Sequence, residues 1–234
     1  MVRMLGPAHL FVTFSTTDLH WDDLMRSPSS DRIEDCEITW SDREGRAVLL
    51  RFSADKAPAT SLMAVYAPNV ETEKVAFWKR MALISSTEKP DIILGDLNTT
   101  LDPIDRNPVR VEDLRVRKAF QDFITIGSVV MEDGWRETYP DTKQYTWWGH
   151  QGVIASSRID RIYVTPSKFD KCLQWWIEQT PGWTDHSMPV MDFCPEGKVE
   201  RGKGQWYMNA NLFNHAEMRA GLRAVLDEWL PKLG

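Results

Sequence analysis

The sequence predicts a mixed α/β (α+β) fold, a layered β-sandwich flanked by helices. Apolar runs of strand length, bounded by Pro and Gly, alternate with segments whose apolar residues recur at helical spacing. Neighbouring strand patterns joined by short turns favour antiparallel pairing, and the interspersed helices then cover the sheet. The chain has 234 residues, 42% of them apolar and 11 of them tryptophan, so it can bury a substantial core.

Each predicted element is bounded by turn residues or by a change in apolar spacing. Strands are predicted at residues 37–40, 47–52, 62–66, 92–94, 146–148, 159–164, 173–177 and 188–193, and helices at 71–86 and 112–126. Residues 92–94 are an apolar run between Pro90 and Gly95, which is typical of a strand buried on both faces.

Linker composition predicts three segments. Residues 1–30 carry a short strand pattern at 10–14 and end in a linker, and residues 31–196 form the main domain. Residues 197–234 combine a second linker with an amphipathic helix at 213–230. We expect this last helix to dock only loosely on the main domain.

Composition excludes several classes of protein. The chain has no apolar run of membrane-spanning length and no signal-peptide pattern. Three cysteines without a CxxC pair exclude a zinc ribbon and fit a reducing compartment. We therefore expect an intracellular protein, nuclear or cytoplasmic, that does not bind membranes. The formal charge of -6 gives no electrostatic argument for nucleic-acid binding.

Polar side chains stand where predicted strands end. Asp96 and Asn98 lie two residues apart after the buried strand, so both can face one side and orient a water and a phosphate oxygen. The alternative is an Asx turn, which is common at strand ends. Tyr66 and Asn69 flank Pro68 at another strand end, where a proline turn beside a core tyrosine is the favoured alternative.

Asp160 and His186 are a second pair of candidates. Strand alternation puts Asp160 on the face of Ile162 and Val164, where a carboxylate is costly unless it is paired. One interpretation is a buried ion pair between Asp160 and Arg158. The other is that Asp160 orients the imidazole of His186 for acid–base chemistry.

A basic set follows the segment that contains Asp96. It consists of Arg106, Arg110, Arg115, Arg117 and Lys118. These side chains either contact DNA phosphates or form a solvated helix face whose charge Glu112 and Asp113 offset, which is the slightly favoured interpretation.

Five short motifs occur in an order that resembles a known family. They are VYAPN at 65–69, GDLN at 95–98, YTWW at 145–148, SRIDRIYV at 157–164 and TDHSMP at 184–189. The chain resembles the endonuclease/exonuclease/phosphatase superfamily, which has the DNase I-like fold, and within it the endonuclease domain of non-LTR retrotransposons. DGWR at 133–136 and the connector-like segment at 202–209 add to this resemblance, which covers about residues 36–212.

The resemblance implies roles for individual residues. Asp96 corresponds to the aspartate that positions or activates the attacking water, and Asn98 to its phosphate-contacting partner. His186 corresponds to the histidine on the scissile phosphate, which Asp160 orients. The remaining implied roles are metal binding for Asp185 and phosphate contact for Tyr66, Asn69 and Arg158.

By this resemblance the chain is a hydrolase that cleaves DNA phosphodiester bonds with Mg²⁺ or Mn²⁺. The family domain opens with a strand that ends in a metal-site Asn, and a second strand ends in Gln-Glu, whose Glu is the principal metal ligand. Neither pattern precedes Cys36, and Glu34 and Asp35 do not end a strand pattern. We therefore expect weakened metal binding and weak or absent catalysis. The alternatives are a non-catalytic nucleic-acid- or protein-binding remnant of a mobile element and a phosphatase for small phosphoesters.

The N-terminal segment has a resemblance of its own. Residues 4–25 resemble the start of the helicase-like N-terminal domain of Helitron transposons; the alternative is a chance strand and turn. The nuclease family places its first strands beside the strand at 92–94, so their absence predicts unpaired backbone there and self-association through exposed sheet edges. We expect residues 10–14 to pair in or against that sheet and so to fill this place in part.

Overall fold

The computed structural model of the chain describes the backbone of residues 2–4, 10–12, 33–54, 57–149, 154–179 and 184–193. Side chains are described for residues 36–53, 57–149, 154–179 and 184–193. The chain divides into two compact units, Met1–Val199 and Glu200–Gly234, and all described residues belong to the first. The predicted helix at 213–230 and most of residues 4–25 lie outside the described residues, so the predicted three segments and the Helitron-like resemblance stay predictions.

A six-stranded sheet forms the centre of the first unit. In spatial order its strands are β10 (Glu132–Asp133), β13 (Asp160–Val164), β6 (Ile92–Asp96), β5 (Thr60–Tyr66), β4 (Ala47–Ala54) and β3 (Ile33–Ser41). β5 and β6 run parallel, and each other neighbouring pair is antiparallel. The predicted hairpin is therefore present as β3 and β4, and the run at 92–94 is an inner strand, as its apolar composition predicts.

A four-stranded sheet and four helices complete the described architecture. The sheet order is β1 (Val2–Met4), β2 (Leu10–Val12), β15 (Met188–Phe193) and β14 (Cys172–Glu178). The helices are α1 (Glu71–Glu88), α2 (Leu114–Phe123), α3 (Gly134–Thr138) and α4 (Pro166–Phe169), and the short strands are β7 (Arg106–Asn107), β8 (Thr125–Ile126), β9 (Val129–Val130), β11 (Trp147–Trp148) and β12 (Ser156–Ser157). None of the helices in the described ranges is long and apolar enough to cross a bilayer.

Two apolar clusters lie on the two faces of the six-stranded sheet. Ile162 and Val164 of β13 join Met191 and residues of β14 in the cluster between the sheets. Tyr163, one position away, joins the cluster made with α1 and α2. The order helices, sheet, sheet confirms the predicted layered sandwich, and the alternation along β13 confirms the face predicted for Asp160.

The predicted vacancy beside β6 is wrong, and residues 10–12 pair in the other sheet and not beside β6. β6 has a hydrogen-bonded partner strand on each side, β5 and β13, so it does not lack a neighbouring strand as predicted. β2 pairs instead with β15 in the four-stranded sheet. β13 already supplies the antiparallel neighbour of β6, which leaves no place for residues 10–12 there. The outer strands of the two sheets are β10, β3, β1 and β14, and self-association through them stays a prediction.

Helix α2 also differs from its prediction. It ends at Phe123, before the predicted bound of 126, because residues 125–126 pair with residues 129–130 as β8 and β9. Asp113 forms the N-cap, and its side chain accepts a hydrogen bond from the backbone N–H of Arg115 at 2.7 Å. A capped start and a strand after the end shorten the helix that apolar spacing alone predicts.

The close approach of β6 to β5 at Gly95 gives a test of this arrangement. Gly95 has a φ of 131°, and a Cβ there would lie 1.9 Å from the Val65 carbonyl oxygen. We expect Gly95→Ala to lower the free energy of unfolding by about 4 kcal/mol or more in urea denaturation. The control is Gly45→Ala, where φ is 70° and nothing lies within 4 Å of the added Cβ. Its cost should be about 1 kcal/mol, and equal losses in the two variants would contradict the close approach.

Candidate functional site

Three neighbouring strands place functional side chains in one row. Tyr66 is the last residue of β5, Asp96 the last of β6 and Asp160 the first of β13. The register pairs Asp96 with Tyr66 on one side and with Asp160 on the other. Because β5 and β6 are parallel, both end at the edge of the sheet where antiparallel β13 begins. Backbone pairing therefore brings two carboxylates and a tyrosine to one edge.

Asn98 turns back onto Asp96 directly after β6. Its φ of 44° is left-handed, and its backbone N–H donates to Asp96 Oδ1 at 3.0 Å. Its Nδ2 donates to Asp96 Oδ2 at 3.2 Å and to the Ala67 carbonyl at 2.9 Å. The Asx turn expected as the alternative is thus present, and the same bonds hold the Asp96 carboxylate at the end of the strand.

His186 reaches this row from the segment that precedes β15. Its Nδ1 lies 2.8 Å from Asp160 Oδ2. The start of β13 is fixed by Thr146, whose Oγ1 accepts hydrogen bonds from the backbone N–H groups of Ile159 and Asp160 at 3.1 and 3.0 Å. The expected contact between Asp160 and His186 is confirmed, and it joins the two sheets.

Burial and mutual repulsion set the protonation of this group. Burial and, second, the charge of Asp160 raise the pKa of Asp96 to about 7. Burial also raises the pKa of Asp160. Burial opposes the charged form of His186, but the hydrogen bond and the charge of Asp160 outweigh it, so the pKa of His186 is raised. Near neutral pH the cluster therefore holds protons that exposed carboxyl groups would have lost.

Ligand atoms for a cation converge at the same place. One oxygen of Asp96, one oxygen of Asp160 and a ring nitrogen of His186 lie within 4.8 Å of one another. Asp185, the predicted metal ligand, is not in this group, and its Oδ2 accepts a hydrogen bond from Trp147 Nε1 at 2.8 Å. Metal binding by Asp185 stays a prediction, while the two carboxylates of the row offer the ligands that Mg²⁺ prefers.

A cavity of about 540 Å³ opens at this edge of the sheet. The predicted residues that line it are Tyr66, Asn69, Asp96, Asn98 and His186. Two members of the basic set, Arg106 and Arg110, also line it, and the lining residues that the sequence did not single out as binding residues include Glu71, Lys74, Glu112, Trp147 and Ser157. The structure thus adds a charged wall to the predicted polar cluster.

The basic set of the sequence lies in two separate places, and its contact with DNA phosphates stays a prediction. Arg106 and Arg110 line the cavity. Arg115 and Lys118 bind Asp113 and Asp122 in exposed ion pairs. Sequence proximity grouped these residues, whereas the turn from β7 into α2 separates them in space.

A buried ionic network supports the cavity wall. Glu112 Oε1 lies 3.4 Å from Lys74 Nζ, and its Oε2 lies 3.2 Å from Arg106 Nη2 and 3.4 Å from the Thr100 backbone nitrogen. Burial lowers the pKa of Lys74, against the charge of Glu112. Lys74 also donates to the backbone carbonyl of Asn98. The network therefore connects α1, the turn after β6 and the segment before α2.

Arg158 does not have its predicted role. Its side chain is 2% exposed and binds two carboxylates, Asp105 at 2.8 Å and Asp133 at 2.7 Å. It does not line the cavity. The prediction of a phosphate contact is therefore wrong, because two buried carboxylates already hold the guanidinium. The alternative ion pair with Asp160 is not formed either, since Asp160 binds His186.

No family model matches this chain. The Transposon TX1 uncharacterized 149 kDa protein of Xenopus laevis is 29% identical over 189 residues, which are 79% of this chain and 14% of that protein. This chain therefore spans about 14% of the length of that curated relative.

Solved structures share the architecture. An AP endonuclease from Archaeoglobus fulgidus superposes with a TM-score of 0.56 and 16% identity, over 80% of this chain and 79% of that chain. The catalytic domain of Xenopus laevis APE2 gives a TM-score of 0.52 and 26% identity, over 64% and 55% of the two chains.

The raised pKa of Asp96 predicts a pH-dependent effect of its removal. A carboxyl group with a pKa of about 7 in the folded state and 3.8 in the unfolded chain opposes folding increasingly as pH rises toward 7. We therefore expect Asp96→Asn to stabilise the protein, with a gain that grows by about 2–3 kcal/mol between pH 5 and pH 8. Urea denaturation at both pH values measures this gain.

Asp141→Asn is the matched control for this effect. Asp141 is exposed and does not line the cavity, so its replacement should change stability little at either pH. A gain for Asp96→Asn that is equal at pH 5 and pH 8 would contradict the burial of an ionisable carboxyl group at this position.

Proposed function

This chain has the DNase I-like fold of the endonuclease/exonuclease/phosphatase superfamily, and we propose that it binds DNA and hydrolyses phosphodiester bonds in the described cavity. The observation that carries the proposal is the contact between His186 and Asp160 beside Asp96, at one edge of the sheet. Similarity to a transposon protein over 79% of the chain supports a retroelement-type endonuclease within this superfamily.

In this proposal Asp96 orients the attacking water and accepts its proton. A general base works best when its pKa lies near the working pH, and the pKa of Asp96 is about 7. The hydrogen bonds from Asn98 fix the direction of the carboxylate. Tyr66 and Asn69, on the neighbouring wall, are the proposed contacts to the non-reacting phosphate oxygens.

His186 is the proposed donor to the scissile phosphate. Its Nδ1 faces Asp160, so Nε2 is the nitrogen that would donate to a phosphate oxygen. Asp160 favours the protonated imidazole, as the raised pKa of His186 indicates. The positively charged imidazole of His186 would stabilise the charge that develops on the phosphate in the transition state.

The described residues fit a divalent cation in part. Asp96 and Asp160 supply two carboxylates. Burial raises the pKa of both, and the charge of Asp160 raises that of Asp96 further. A bound Mg²⁺ or Mn²⁺ would offset the charge of these carboxylates and polarise a phosphate oxygen. It would also lower the pKa of Asp96 from the value of about 7 that burial and Asp160 produce without a cation, and so keep the base ionised. The sequence of residues 1–35 contains no Gln-Glu pair like that of the family, so we propose that binding of the cation and turnover are weak.

A non-catalytic nucleic-acid-binding protein is the second candidate. The observation that favours it is the basic wall formed by Arg106 and Arg110, which would contact phosphate without any metal. The two candidates differ in cleavage and agree in DNA binding, so a nicking assay separates them.

The test is nicking of supercoiled plasmid in Mg²⁺ or Mn²⁺. We expect the native chain to nick slowly. EDTA, Asp96→Asn and His186→Gln should each reduce the nicking rate by at least about 100-fold, the range seen when one acid–base group is lost. Asp141→Asn should leave the rate unchanged. Nicking that survives in both site variants would show that the proposed residues do not carry it, and absence of nicking with intact DNA binding would favour the second candidate.

A further inference from the structure

An exposed ion pair joins two segments that line the cavity. Glu71 is the first residue of α1, and Arg110 lies in the loop between β7 and α2. Glu71 Oε2 is 3.2 Å from Arg110 Nη2, and the two side chains are 45% and 65% exposed. Both residues line the cavity. The pair therefore stands where a phosphate of bound DNA would meet the protein.

The two cavity arginines differ in how firmly they are held. Arg106 binds Glu112, whose side chain is 2% exposed, and breaking that pair would leave a buried carboxylate without one of its partners. Arg110 binds a carboxylate that water reaches, and exposed pairs of this kind are weak. Of these two arginines, Arg110 is the one that can exchange its partner at low cost.

We propose that Glu71 competes with DNA phosphate for Arg110. Without DNA the carboxylate occupies the guanidinium; when DNA enters, a phosphate replaces the carboxylate and Arg110 moves from an internal partner to the ligand. Glu71 then lowers the affinity for DNA that seats a phosphate beside Arg110, because the ion pair must break before the phosphate binds. This inference rests on the proposed DNA binding and assigns to Glu71 a role in setting the affinity of that contact.

The experiment measures binding of a short labelled DNA duplex to the full chain by fluorescence anisotropy, in EDTA and over a range of salt concentrations. Glu71→Gln should bind about two- to fivefold tighter, the range that corresponds to loss of an exposed pair. Arg110→Gln should bind more weakly. The slope of the logarithm of its affinity against the logarithm of the salt concentration should be shallower by about the contribution of one phosphate contact. In the Arg110→Gln background, Glu71→Gln should have no further effect.

Glu73→Gln is the matched control. Glu73 lies in the same first turn of α1 and carries the same charge, but it does not line the cavity. General repulsion of DNA by the acidic turn would make Glu73→Gln tighten binding as much as Glu71→Gln, and would preserve the effect of Glu71→Gln without Arg110. Either result overturns the competition.

Two further outcomes separate this inference from the proposed function. If the native chain binds DNA and Glu71→Gln leaves that binding unchanged or weakens it, the competition alone is overturned. A native chain that does not bind the duplex overturns both the competition and the proposed DNA binding. If Glu71→Gln tightens DNA binding only when Arg110 is present, so that the effects of the two substitutions are not additive, the competition is supported whether or not the chain nicks DNA.

Discussion

The hydrogen bond between His186 and Asp160 connects the two sheets at the point where both present polar side chains. Asp160 stands on the same face of β13 as two residues of the apolar core, so its carboxylate requires a partner at the edge of that core. His186 is brought to it from the segment before β15. The proposed catalytic arrangement therefore depends on how the two sheets pack, because a shift between them would separate the imidazole from its carboxylate.

A second set of buried charges fixes the loops around this contact. Asp105 and Asp133 hold Arg158, and Arg136 also binds Asp105. Burial opposes the ionised form of Asp105, but hydrogen bonds and charges of the arginines outweigh it, so the pKa of Asp105 is lowered. These ion pairs connect the segment before β7 to β10 and to the residues before β13. Such pairs specify one arrangement of the loops, even where their net contribution to stability is small.

The cavity combines a buried cluster of ionisable groups with an exposed and weakly held ion pair. Near Asp96 the carboxylates are buried and their protonation reflects the lack of water. At Glu71 and Arg110 the charges are exposed and can exchange partners. This gradient from buried to exposed charge suits a polyanion that binds first through its backbone and then presents one phosphate to the inner residues. Weak turnover with retained DNA binding is compatible with such a division.

The sequence by itself determined the strand pattern and the position of the polar side chains at the strand ends. Apolar composition identified residues 92–94 as an inner strand, alternation fixed the face of Asp160, and the motif order brought His186 into the site. The tertiary structure decided which charges meet: Arg158 pairs with Asp105 and Asp133, and β2 pairs with β15 and not with β6. The reason is physical: periodicity records whether a side chain is buried. The partner of a buried charge or of a strand edge depends on segments far apart in the chain, and only packing brings those together.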